Sequence, residues 1–107
     1  MVRAGSVITL EAYAKINLTL EILGRRPDGY HELRSIVMPV TLSDTVALTS
    51  TYAQTAMTIT AAPGVDLTKI GAMDRNLAVR AARLMQLRYQ VNAGARIHIH
   101  KRIPIGG

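Results

Sequence analysis

The sequence predicts an α+β fold in which a mostly antiparallel sheet carries a single helix. Apolar and polar residues alternate over most of the chain, which is typical of strands with one buried face. Residues 77–88 instead repeat apolar side chains at helical spacing. The composition, 49% hydrophobic and 19% charged, is that of a folded chain. A length of 107 residues corresponds to at most one domain.

The alternating stretches divide the chain into strands. Six segments are predicted, at residues 7–10, 12–23, 33–42, 45–51, 56–61 and 95–103. The apolar face of the second segment, which we expect to build the core, consists of Ile16, Leu18, Leu20 and Ile22. Pro39 cannot donate to a ladder, so it indicates an edge or a bulge. Ser43 and Asp44 are interpreted as a turn, after which the strands continue as an antiparallel meander.

The predicted helix begins after Asn76, whose side chain can cap the free amides of the first turn. It follows a stretch, residues 62–73, that is rich in proline and glycine and is interpreted as a loop. The helix face expected to pack on the sheet consists of Leu77, Ala81, Leu84 and Met85. Its arginines lie mainly on the other side, so the helix should be amphipathic.

Polar residues before and after the first predicted turn suggest a ligand site. Lys15 and Asn17 lie two residues apart, so they share one face of their strand. Residues 24–29 contain the proline and glycines of a tight turn, which presents Tyr30 and His31. A lysine, an amide, a phenol and an imidazole this close in sequence favour a phosphorylated or nucleotide-like ligand.

Charge and composition narrow the classes of function. The 13 basic and 7 acidic residues give a net charge of +6, which would attract phosphates or nucleic acid. Aromatic residues make up only 4%, all tyrosine, so a stacking platform for single strands is nearly absent. His98 and His100 share a strand face, but no third metal ligand lies near them in sequence. The chain has no cysteine and no long apolar run, so we expect a cytoplasmic location.

The last residues, Pro104, Gly106 and Gly107, follow a predicted strand. Glycines at this point let backbone amides approach an anion, which is typical of the start of a phosphate-binding loop. The helix that usually follows such a loop lies outside the sequence. We therefore expect the chain to be an amino-terminal fragment.

Three blocks carry a resemblance to a known family: AKINLTLEILGRRPDGYHELRSI, DRNLAVRAARLM and HIHKRIPIGG. In this order they resemble the amino terminus of the 4-diphosphocytidyl-2-C-methyl-D-erythritol kinases, within the GHMP kinase superfamily. The resemblance implies a fold like the second domain of ribosomal protein S5. It also implies ATP and Mg²⁺ as cofactors, and transfer of the γ-phosphoryl group of ATP to the 2-hydroxyl of the cytidyl substrate.

The resemblance also implies roles for individual residues. Lys15 matches the active-site lysine, and Asn17 a residue that orients the erythritol part of the substrate. Tyr30 and His31 match the pair that holds the cytosine. The residues that match the nucleotide-binding positions are Asn76, Lys101, Pro104, Gly106 and Gly107.

On this interpretation residues 1–107 are an incomplete ATP-binding domain, and they should be inactive alone because the rest of the phosphate loop and the catalytic aspartate are missing. The expected partners are ATP and the cytidyl diphosphate substrate, without membrane or nucleic acid; a homodimer is left open. Two alternatives stay open: a basic S5-like module that binds RNA, and another GHMP kinase that acts on a different small molecule.

Overall fold

The computed structural model describes residues 6–106 of the chain. Its elements are, in chain order, β1 (Val7–Arg25), β2 (His31–Thr51), β3 (Ala56–Ala61), α1 (Leu77–Tyr89) and β4 (Gly94–Lys101). Two short 3₁₀ helices, Leu67–Lys69 and Met73–Arg75, precede α1. The four strands form one sheet in the order β1-β2-β4-β3. Since two of its three pairings are antiparallel, the predicted α+β class is confirmed.

The first two strands are longer than predicted. β1 joins the two segments expected at residues 7–10 and 12–23, and β2 runs straight through the turn expected at Ser43 and Asp44, so that turn is wrong. An irregularity lies nearby, because the pair Tyr13–Ser43 is followed by Lys15–Pro39. β2 therefore carries extra residues just after Pro39, where residues 40–42 lie opposite Ala14 alone. A bulge beside a proline is expected, because proline cannot donate to a ladder.

The meander predicted for the middle of the chain is also wrong. β3 does not pair with β2; it lies parallel to β4, with Ala56 opposite Arg96 and Ala61 opposite Lys101. The segment between these strands contains α1, and a connection of that length is what a parallel pair requires. β4 then lies between β2 and β3. Local alternation identified these strands but could not indicate their partners.

The core lies where α1 crosses the sheet. Its buried hydrophobic side chains are Met57, Val79 and Ile97. The partly buried residues packed against them are Val46, Leu48, Ile59, Ala78, Ala82, Ala95 and Ile99. Small side chains on α1 let the helix approach the sheet closely, so the predicted packing face is wrong. Its members Leu77, Leu84 and Met85 are 76%, 66% and 58% exposed.

The outer halves of β1 and β2, residues 15–25 and 31–39, form a two-stranded extension that we call the distal hairpin. β4 pairs only with Thr45–Thr51 of β2, so no third strand from residues 6–106 reaches this part of the sheet. The side chains predicted to build the core from Ile16 to Ile22 are 47–64% exposed. That prediction fails because no other described element covers the distal hairpin.

The helix ends follow the sequence closely. Asn76 adopts an extended conformation and its side chain accepts the amide of Ala78 at 2.9 Å, which confirms the predicted cap. At the other end Gln90 takes a left-handed φ of 52°, and the amide of Val91 bonds to the carbonyl of Gln86 at 3.0 Å. Within residues 6–106, no helix is long and apolar enough to cross a membrane.

Candidate functional site

The tip of the distal hairpin is a tight turn with a defined hydrogen-bond pattern. The carbonyl of Arg26 accepts the amide of Gly29 at 3.0 Å, and the Asp28 carboxylate accepts the amide of Tyr30 at 3.0 Å. Gly29 has a φ of +91°, a conformation that glycine adopts without a side-chain clash. The turn therefore presents Tyr30, which is 70% exposed, immediately before β2 begins at His31.

Arginine 26 stabilises this tip through two carboxylates. Its guanidinium lies 3.2 Å from Asp28 and 3.4 Å from Glu32. All three side chains are about half exposed, so each ion pair contributes modestly to stability. The guanidinium is thus directed back onto the turn, which favours a structural role over capture of a diphosphate.

Lysine 15 and Asn17 lie near the base of the distal hairpin, opposite Pro39 and Val37. The register between them is regular, so they share one face as predicted. The eight steps from His31 to Pro39 along β2 correspond to roughly 26 Å at about 3.3 Å per residue. The structure therefore brings Lys15 and Asn17 together but does not place them beside Tyr30 and His31, and the shared site stays a prediction.

Asparagine 76 and Lys101 are brought together by the fold. Both line a cavity of about 370 Å³ beneath the start of α1. The remaining lining residues are Ala12, Asp44, Val46, Ile59, Ile70, Leu77, Ala78, Ile99 and Ile105. The cavity thus has an apolar wall and few polar groups, an arrangement that suits a flat ring with hydrogen-bonding edges. Whether Asn76 and Lys101 contact a nucleotide there stays a prediction.

Aspartate 44 is the residue of this region that the sequence interpretation missed. It is 7% exposed and accepts three hydrogen bonds, from the Lys101 ammonium at 2.6 Å and from the amides of Arg102 at 2.7 Å and Ile103 at 2.9 Å. Burial raises the pKa of its carboxyl, but the Ile103 amide, Lys101 and the Arg102 amide outweigh burial and keep the pKa below its ordinary value. The sequence signal for this role was an aspartate between two runs of β-branched residues. The same pattern is typical of a turn, so it did not identify the role of Asp44.

The predicted phosphate-loop residues follow directly after these bonds. β4 ends at Lys101, and Pro104, Ile105 and Gly106 continue beyond the sheet. Gly106 has a φ of +84°, which a glycine adopts without strain. Gly107 lies outside the described residues. Ile105 lines the same cavity as Asn76, so this segment borders the candidate nucleotide position.

The opposite face of the sheet carries a separate polar network. The two histidines of β4 are hydrogen-bonded to threonines of β3, with His98 Nδ1 2.7 Å from Thr58 and His100 Nδ1 2.8 Å from Thr60. No group of three or more histidine, aspartate or glutamate side chains among residues 6–106 could hold a metal ion. The side chains of the two histidines therefore link β4 to β3.

Several known proteins that are similar to this chain carry the same name. A scan against protein-family models finds no match. Proteins named 4-diphosphocytidyl-2-C-methyl-D-erythritol kinase are similar over nine tenths of the chain. That of Symbiobacterium thermophilum is 41% identical over 96 residues, which are 90% of this chain and 32% of the relative. That of Acaryochloris marina is 45% identical over 98 residues, 92% of this chain and 30% of the relative.

A solved structure agrees with these relatives. The crystal structure of a 4-(cytidine 5'-diphospho)-2C-methyl-D-erythritol kinase matches with a TM-score of 0.66 and 33% sequence identity. The match covers 92% of this chain and 33% of the solved one. The chain thus spans about a third of the length of the proteins that it matches.

Proposed function

We propose that this chain, a homologue of the 4-diphosphocytidyl-2-C-methyl-D-erythritol kinases, forms the ATP-binding part of an enzyme that phosphorylates the 2-hydroxyl of that cytidyl substrate. The observation that carries the proposal is the similarity of about 40% over nine tenths of the chain, together with the shared fold. The fold alone would leave the reaction open, because one fold supports many chemistries. The identities of Lys15, Tyr30 and His31 support this substrate in particular.

Lysine 15 is proposed as the catalytic cation. Phosphoryl transfer needs positive charge where negative charge develops on the transferred group, and a lysine held in place supplies it without reorganisation. The side chain is exposed on β1, and among residues 6–106 no carboxylate lies within ion-pair distance of it. Asn17, two residues further on the same face, is proposed to orient the erythritol hydroxyls.

Tyrosine 30 and His31 are proposed to select the cytidyl end of the substrate. The phenol ring can stack on the flat base, and the imidazole can hydrogen-bond to its polar edge. Both residues lie at the tip of the distal hairpin, roughly 26 Å along β2 from the level of Lys15. Joint binding of one substrate therefore requires the hairpin to bend, and the irregularities after Asn17 and Ile22 are the places where β1 can do so.

ATP is proposed to bind at the cavity below α1, with Asn76 and Lys101 on its wall. Pro104, Gly106 and Gly107 would begin the loop that receives the phosphates through backbone amides. The residues described here do not supply a ligand set for Mg²⁺, since no three candidate side chains among residues 6–106 converge.

The 107 residues are proposed to be part of a larger domain. Support comes from a largely apolar groove of about 790 Å³ beside α1, lined by Ile8, Leu48, Met85 and Tyr89 among others. Together with the exposed apolar side chains of the distal hairpin, this groove leaves apolar surface that a further part of the domain could cover.

Substitution of Lys15 tests the proposed reaction. The variants are made in the full-length polypeptide that contains this chain. The assay measures ADP release that depends on the cytidyl substrate. Lys15→Ala should lower kcat by roughly 100-fold or more, because a positioned charge-stabilising donor is removed. Lys69→Ala, at another exposed lysine, on the 3₁₀ helix Leu67–Lys69, is the matched control and should retain full activity. Equal loss in both variants, or turnover that does not need the cytidyl substrate, would reject the proposal.

A further inference from the structure

The end of β4 is held by a side chain in place of a strand partner. The last residue pair between β2 and β4 is Thr45 with His100. Beyond this pair, the Asp44 carboxylate replaces the strand partner. One of its oxygens accepts hydrogen bonds from the amides of both Arg102 and Ile103, at 2.7 and 2.9 Å. These two amides would otherwise lack a partner where the chain leaves the sheet. Asp44 thus continues the ladder by two residues.

The second carboxylate oxygen of Asp44 holds a different group. It lies 2.6 Å from the ammonium of Lys101, and the two side chains are only 10% and 20% exposed. A hydrogen bond between charged groups is shorter and stronger than a neutral one, and low exposure limits competition from water. Lys101 is therefore fixed on the wall of the cavity that it shares with Asn76.

Contacts on the opposite face of the sheet also restrain the segment at Arg102. The Arg102 guanidinium donates to the hydroxyl of Thr45 at 2.7 Å and to the carbonyl of Ser43 at 3.3 Å, and it lies 3.9 Å from Glu11. These groups are about 40% exposed, so they contribute less than the Asp44 bonds do. Residue 102 is thereby held by its amide on one face and by its side chain on the other.

We infer that Asp44 is a positioning residue, which sets the direction in which residues 103–106 leave the sheet and so prepares them to receive the phosphates of a nucleotide. The inference rests on the proposed function for its ligand, but the contacts that carry it are independent of any ligand. The direction matters because backbone amides bind an anion only when they converge on it. A loose start to the segment would lower nucleotide affinity without changing any group that touches the cytidyl substrate.

Two substitutions separate the roles of Asp44. Asp44→Ala removes both oxygens, whereas Asp44→Asn keeps an oxygen that can accept the two amides and loses the ion pair with Lys101. Glu11→Gln is the matched control, because Glu11 contacts Arg102 only through its side chain. The measurements, made in the full-length polypeptide that contains this chain, are amide hydrogen exchange at Arg102 and Ile103, and the affinities for ADP and for CDP.

The expected results follow from these bonds. Asp44→Ala should speed exchange at both amides by about tenfold or more and weaken ADP binding by a similar factor, since charged acceptors are lost. Exchange at Met57 and Ile97 in the core should not change. Asp44→Asn should keep exchange within about threefold of the parent, with a smaller loss of ADP affinity. Glu11→Gln should match the parent, and CDP affinity should be the same throughout.

Different results would overturn different claims. If the parent binds ADP and Asp44→Ala binds it equally well, the positioning role is wrong and the proposed function stands. If the parent does not bind ADP at all, both are wrong. Should Asp44→Ala fail to fold, Asp44→Asn decides the matter. Loss of protection at Arg102 and Ile103 in that variant, with the core amides still protected, would contradict the inference.

Discussion

At the scale of single residues, the three lysines of the chain lie in different environments. Lys101 is paired with Asp44 at 2.6 Å, and Lys69 ends an exposed 3₁₀ helix. Lys15 has no carboxylate within ion-pair distance among residues 6–106, although it lies beside polar neighbours on β1. A cation without an internal counter-ion is available to a bound phosphate, so the surroundings of Lys15 suit the catalytic role better than those of Lys101.

The two most exposed tyrosines test the proposed cytosine site. Tyr30→Ala should weaken CDP binding by about 10-fold to 100-fold, because a ring that stacks on a base contributes roughly 1–3 kcal/mol. Tyr52→Ala is the control: Tyr52 is 93% exposed and follows β2 at its opposite end. Calorimetric titration with CDP measures both. Equal affinities for the two variants would remove Tyr30 from the site.

At the scale of elements, local signals in the sequence predicted structure well and long-range pairing poorly. The capping residue Asn76 and the turn residue Gly29 have the roles expected, because each acts within a few positions of itself. The predicted partner of β3 was wrong, because a strand shows the same alternation of apolar and polar residues whether it pairs with β2 or with β4. The role of Asp44 was missed because its three hydrogen-bond donors lie 57–59 residues further along the chain.

Asparagine 76 has two proposed roles, which substitution can separate. Asn76→Ala should lower the free energy of unfolding by about 1 kcal/mol through loss of the cap on α1. Asn76→Asp should keep that stability, because a carboxylate caps a helix N-terminus at least as well. It should still lose ADP affinity if the amide donates to the nucleotide.

Urea unfolding and ADP titration of the Asn76 variants give the two quantities. Asn92→Ala, an exposed asparagine after the end of α1, is the control for both. If Asn76→Asp binds ADP as tightly as the parent, Asn76 acts as a cap alone and the nucleotide role is rejected.

At the scale of the whole molecule, the 107 residues are more extended than an independent domain of this length. The radius of gyration is 16.8 Å, whereas a compact domain of about 100 residues has one near 13 Å. The distal hairpin accounts for much of the difference, since it extends from the sheet with both faces exposed. Only three hydrophobic side chains of the described part are buried, those of Met57, Val79 and Ile97. The described part of the chain is therefore extended and has a sparse core.

This sparse core predicts marginal stability for the 107 residues expressed alone. Domains have net stabilities of about 5–15 kcal/mol, and we expect a value below about 5 kcal/mol here, with self-association through the exposed apolar side chains of the distal hairpin. Urea unfolding at several protein concentrations, together with sedimentation, measures both properties. The transition midpoint should rise with concentration because association stabilises the folded form.

Two variants separate stability from association. Leu20→Thr, at a residue 60% exposed on the distal hairpin, should reduce association and leave the stability of the monomer nearly unchanged. Ile97→Thr, at a residue 1% exposed in the core, should instead unfold the chain, because it buries a hydroxyl and opens a cavity. A monomer that unfolds at high urea, with a midpoint independent of concentration, would show that the three-residue core suffices. It would also remove the structural reason for assigning these residues to a larger domain.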